Sequence, residues 1–134
     1  MKSAGGWVWV ALGALALGGC ETQPVKEVQR EVQVLWRGPG EPDLSAGIQH
    51  YENGNHAEAY RRFQASLAKG LHWKSDQVQA YKYLAFIDCA SGRERACRDN
   101  FVRALTLDPD LELTPSEAGH PIWGPVFRSV KAGR

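Results

Sequence analysis

Apolar residues follow two patterns along this chain. They form a nearly unbroken run from Gly5 to Leu17, and after Pro42 they recur at the three- and four-residue spacing of amphipathic helices. No Asn-Gly or Asp-Gly turn joins two alternating runs, so no strand pair is expected. Asn53-Gly54 sits between helical patterns and reads as a helix–helix turn. The first helix is predicted over 43–52, with Pro42 near its first turn. A second is predicted over 55–69, opened by the capping-box spacing of Asn55 and Glu58 and closed by Lys69-Gly70. A third starts at Ser75 or Asp76 and ends before Ser91-Gly92, and a fourth covers 93–107, stopped by Asp108-Pro109.

The flanks are less regular. In the stretch 21–42, Pro24 and the run Arg37-Gly38-Pro39-Gly40-Glu41-Pro42 suit a linker. Val25, Val28, Val32 and Leu35 make a short heptad-like seam, while Val32, Val34 and Trp36 alternate as in a strand. The pattern does not choose between the two, and a tether that orders only against the domain or a partner is the simpler expectation. At the other end, Thr114-Pro115-Ser116-Glu117 repeats the capping-box spacing. After the break at Gly119-His120-Pro121, the residues Ile122, Trp123, Val126, Phe127 and Val130 form one helical stripe. This predicts a capping helix; the alternative is that Trp123 and Phe127 mark an exposed partner site.

The two central hairpins are related. Gly47, Gly54, Glu58, Ala59, Phe63 and Leu67 recur as Ala85, Gly92, Ala96, Cys97, Phe101 and Leu105, all offset by 38 residues. The second copy adds Tyr81, Leu84, Ala104 and Pro109. This pattern resembles the tetratricopeptide repeat, whose period is about 34 residues. The first copy departs from it, with Asp43 for the first bulky residue, Ala46 for the leucine and Leu71 for the proline. The expected fold is therefore all-α: two tetratricopeptide-like hairpins and a C-terminal capping helix over 43–131, after a leader over 1–19 and a linker over 20–42. About three repeats are usual for stability, so two need additional support.

Lys2, the apolar run and the small residues Gly18 and Gly19 have the layout of a bacterial export signal. The run is shorter than the ~20 residues needed to span a bilayer. Leu17-Gly18-Gly19-Cys20 resembles the lipobox of bacterial lipoproteins, which implies cleavage before Cys20 and acylation, palmitate included, of its thiol. Several acyl chains anchor stably where one binds reversibly. Glu21 is not the Asp that retains such lipoproteins at the inner membrane, which implies the outer membrane, with the domain in the periplasm. The full chain has 134 residues, with 16 basic and 15 acidic side chains, so it is one near-neutral domain. That balance does not point to a nucleic-acid partner.

Cys89 and Cys97 straddle the Ser91-Gly92 turn and fall on facing helices. In an oxidising compartment such a pair is expected to bridge; the alternative is two buried thiols where the repeat prefers Ala. Closing so short a loop stabilises by about 2.5 kcal/mol on the chain-entropy model. No second Cys pair and no His at ligand spacing suggests a metal site. His50 and His56 do not share a helix face, His72 falls in a loop and His120 in the Gly-His-Pro break. HExxH, GxSxG and GxxxxGK are absent. Catalytic residues, enzyme activity and cofactors are not expected.

With the paired cysteines, the string Gly119-His120-Pro121-Ile122-Trp123-Gly124-Pro125 resembles TssQ-type lipoproteins of bacterial type VI secretion systems. The resemblance implies an accessory outer-membrane component that contacts envelope proteins of the secretion machine. A pilotin-like or cell-wall-associated assembly lipoprotein is the alternative. Stacked hairpins expose a concave face lined by the first helix of each pair. On it, Ile48, Tyr51, Gln79, Lys82 and Phe86 form the candidate partner groove, with Trp123 as a further contact; the alternative places Tyr51 and Phe86 in the core.

Overall fold

The computed structural model describes residues 23–134, and the leader and Cys20 lie outside the described residues. Among the described residues there are seven helices and no strand. Helix α1 (Gln23–Arg37) leads into two hairpins, α2 (Glu41–Glu52) with α3 (His56–Lys69) and α4 (Lys74–Ala90) with α5 (Glu94–Leu107). The single turn α6 (Pro115–Ala118) and helix α7 (Trp123–Ala132) fold back onto the second hairpin.

The repeat is written into the backbone of the two hairpin turns. In the first, Asn53 N–H donates to Gln49 O, Gly54 N–H to Tyr51 O, Asn55 N–H to His50 O and Ala59 N–H to Asn55 O. In the second, Ser91, Gly92, Arg93 and Cys97 donate to Ile87, Cys89, Asp88 and Arg93. Every donor and acceptor is displaced by the same 38 residues. Gly54 (φ 77°) and Gly92 (φ 74°) occupy the left-handed region that an L side chain enters only at a cost. Asn55 caps α3 through its side-chain oxygen, which accepts from Glu58 N–H. The capping box is incomplete here, because the Glu58 carboxylate turns to Arg61 and Arg62. The box is complete at α6, where Thr114 and Glu117 bond reciprocally.

Two apolar clusters form, one among α2, α3 and α4 and the other among α4, α5 and the C-terminal segment. Leu44, Ala59, Phe63, Leu71, Ala80, Leu84 and Ile87 make the first. Ala85, Phe86, Cys97, Phe101, Leu105, Leu113 and Phe127 are in the second. Tyr51 and Tyr83 pack against both and form the joint between them. Tyr83 stacks on Phe63 at 5.1 Å and meets Tyr51 edge-on at 4.8 Å. The helix at Gly47 leaves no room for more: a Cβ there would lie 2.7 Å from the Phe63 ring.

The departures of the first copy have physical substitutes. Asp43 is buried where the second copy has Tyr81, and it binds Arg62 at 3.0 Å and Lys69 at 2.5 Å, tying α2 to α3. Leu71, standing in for the proline, is buried in the first cluster. The cysteines are joined in a disulfide across the second turn, with Cα atoms 5.1 Å apart.

At the N-terminal side the described part of the expected linker has regular structure. Residues 23–37 are helical, and the helix of the first hairpin starts at Glu41. The described stretch is helical and not extended, which puts Val25, Val28, Val32 and Leu35 on one face, and Pro24 lies in the first turn, where it is tolerated. The Gly38-Pro39-Gly40 segment is packed, not loose. Gly40 N–H donates to Gly70 O, His72 N–H donates to Arg37 O, and a Cβ on Gly40 would lie 2.0 Å from Ser66 O. At the other end, α7 closes the array as a cap, with Phe127 buried edge-on against Phe101 at 5.3 Å.

Candidate interaction surface

Helix α4 opens at Lys74, one or two residues earlier than its sequence suggests, and Asp76 does not cap it. The Asp76 carboxylate is buried and accepts two hydrogen bonds from Arg37, at 2.7 and 3.0 Å. Arg37 also reaches Glu41 at 3.2 Å and lies 5.6 Å from the centre of the Trp73 ring. One guanidinium therefore connects the end of α1 to the starts of α2 and α4. Hydrogen bonding to Asp76 raises its already high pKa, so it stays charged.

This junction forms one wall of an open cleft of about 720 Å³. The start of α4 contributes Trp73, Lys74, Gln79 and Lys82, and the loop after α5 contributes Leu107, Pro109 and Leu111 opposite. Trp73 is 52% exposed although it is the largest side chain at the mouth. Its indole is steadied by Arg37 from one side and leaves a broad apolar face open to solvent. Lys82 is half-buried and bonded to Glu117 at 2.8 Å, so the floor is charge-balanced.

The six residues expected to form the partner groove are not all on this surface. Gln79 and Lys82 line the cleft. Ile48 and Tyr51 are half-buried against the first cluster. Phe86 is 2% exposed and belongs to the core, which corrects its placement on an open concave face. The reason is the C-terminal segment. Trp123 stacks on Phe86 at 4.6 Å, with His120 on its other face, and its Nε1 donates to Glu117 O. Trp123 is thereby a covering residue, not a free contact. The Gly-His-Pro-Ile-Trp sequence makes the reverse turn that brings His120 and Trp123 together, since Ile122 N–H donates to His120 Nδ1.

Burial pushes the Tyr51 hydroxyl above the ordinary tyrosine range, with Tyr83 and then Glu117 adding to it; burial also raises Tyr83, helped by Glu117 and Glu52. Asp88 is fully buried and satisfied by Arg93 at 2.7 Å and Asn100 at 2.8 Å. Among the described residues no group of three or more His, Cys, Asp or Glu side chains converges as a metal site requires. Sequence reading missed Arg37 and Trp73; the signal available was an Arg before a Gly-Pro-Gly turn and a Trp just before a helix start, both of which also suit a linker and a loop.

No protein-family model, curated protein or solved structure matched the chain.

Proposed function

We propose that the protein is a periplasmic lipoprotein, anchored through Cys20 in the outer membrane, whose helical-repeat domain binds other proteins as an accessory component of a type VI secretion system. The anchoring rests on the leader and the Leu17-Gly18-Gly19-Cys20 string, and the secretion assignment on the resemblance carried by the paired cysteines and the Gly119–Pro125 string. The observation that carries the binding role is Trp73. It stands exposed at the mouth of a cleft and supports neither apolar cluster, and tryptophan in such a position is the residue type that dominates protein interfaces. Lys74 and Gln79 supply polar groups beside it, a combination that suits an extended or helical segment of a partner.

The test is co-purification of the tagged full chain from detergent-solubilised membranes of a strain with an active secretion system. Envelope subunits of that system are expected with the wild type and should be lost with Trp73→Ala plus Gln79→Ala, while the helical spectrum is unchanged. Recovery of a secretin, a pilus component or peptidoglycan instead would favour the pilotin-like or cell-wall reading and overturn the secretion assignment. Retention of the secretion subunits by the double variant would remove the cleft from the interface.

A further inference from the structure

Helix α1 carries an apolar face that no other described residue covers. Val25, Val28, Val32, Leu35 and Trp36 share one side of it, and each is between 47 and 73% exposed. The other side meets the domain only toward the C-terminal end of the helix, since every residue from 25 to 33 is exposed. Val34 and Arg37 are half-buried, Arg37 makes the ion pairs described above, and Arg30 with Gln33 faces Pro42, Ser45 and Gln49 of α2 across a shallow groove. The stripe therefore points away from the repeat array. A contiguous apolar patch on a small domain marks a surface that meets another apolar phase.

We propose that this phase is the phospholipid bilayer, and that α1 lies flat on the membrane as a plate between the lipid and the repeats. The inference rests on the anchoring reading of Cys20. Only Glu21 and Thr22 separate that cysteine from Gln23, so an acylated Cys20 holds the first turn of α1 within about 10 Å of the headgroups. The stripe then extends about 16 Å along the surface. No described helix is long and apolar enough to cross a membrane, so α1 lies on the bilayer and does not span it. Trp36, at the edge of the stripe, is the residue type that settles where hydrocarbon meets water. A second copy of the chain is the weaker occupant. Val25, Val28, Val32 and Leu35 span two heptads, fewer than the three or four that sustain a coiled coil in water. The charges of the helix nearly cancel, with Lys26, Arg30 and Arg37 against Glu27 and Glu31, so the contact is made by apolar burial.

The test uses the full processed chain, purified from bacterial membranes and reconstituted into phosphatidylethanolamine–phosphatidylglycerol vesicles. A nitroxide is placed at Val28→Cys or at Gln33→Cys, the native Cys89 and Cys97 being joined. Mass spectrometry of the same sample reports acylation of Cys20. The expected result is loss of collisions with a water-soluble nickel chelate at position 28, gain of collisions with oxygen there, and the reverse at position 33. Equal nickel access at both positions on an acylated sample overturns the proposal and leaves the anchor intact. Spin–spin broadening at position 28 that disappears on dilution with unlabelled protein also overturns it, in favour of a second copy. A Cys20 without acyl chains overturns the anchoring reading and this inference with it.

Discussion

Asp43 is a buried carboxylate held by two cations on a neighbouring helix. Burial pushes its pKa up, but hydrogen bonds from Lys69 and Arg62 outweigh that and hold it below the usual carboxylate value. A carboxyl with a lowered pKa in the folded state contributes stability that is complete above the unfolded value, near pH 4, and is lost as pH falls through the folded one. Stability measured by urea titration should therefore drop below about pH 4. In Asp43→Asn that part of the slope should be missing, and the variant should be weaker near neutrality because the amide carries no charge and keeps only one acceptor oxygen, turning an NH2 toward Arg62 or Lys69. Phe86 and Trp73 offer a second contrast at the same scale. Phe86→Ala empties a fully packed site and should cost about 3–5 kcal/mol in the same titration. Trp73→Ala should change stability by less than about 1 kcal/mol, because the ring is mostly in water. Equal losses for the two would show that Trp73 is part of the core. None of these roles could be taken from spacing alone. Asp43 looked like a defect in the repeat because its partners lie 19 and 26 residues away in α3. Phe86 looked like a groove residue because a hairpin taken alone does not reveal which face a later segment will cover.

The elements were more legible than their roles. Gly54 and Gly92, Asn55 and the Thr114–Glu117 box each act through neighbours a few residues away, so sequence proximity displays them. The 20–42 stretch was ambiguous because its valines satisfy two periods at once, and because Gly-Pro-Gly is written alike whether the chain is loose or pressed against another backbone. Gly40→Ala distinguishes these. The added methyl would meet Ser66 O at 2.0 Å, so the α1–α2 junction must shift, and the variant should unfold at lower denaturant by about 1–3 kcal/mol. A loosely attached segment would tolerate the change. The disulfide belongs to the second hairpin alone, since Tyr51 and Ala59 occupy the equivalent positions of the first. Reduction, or Cys97→Ala, should lower stability by about 2.5 kcal/mol and raise amide exchange first around the 88–97 turn.

Across the whole molecule, two repeats suffice because both ends are covered. Helix α7 seals the second hairpin, and the Arg37–Asp76–Glu41 cluster with the Gly38–Gly40 turn closes the first. Tyr51 and Tyr83 belong to both clusters, so the hairpins share side chains and should melt together. Fluorescence of the tryptophans and far-ultraviolet circular dichroism should report one coincident transition in denaturant. Tyr83→Ala should separate them or broaden the transition. The matched turns have a constructive consequence as well. Because the peptide link at Gly92 has the geometry of that at Gly54, a duplicated cassette of residues 55–92 could be spliced after Gly92 without altering a joint, provided Cys89→Tyr removes the surplus thiol from the first copy. Such a three-hairpin ruler would carry the terminal seals farther apart in steps of one unit.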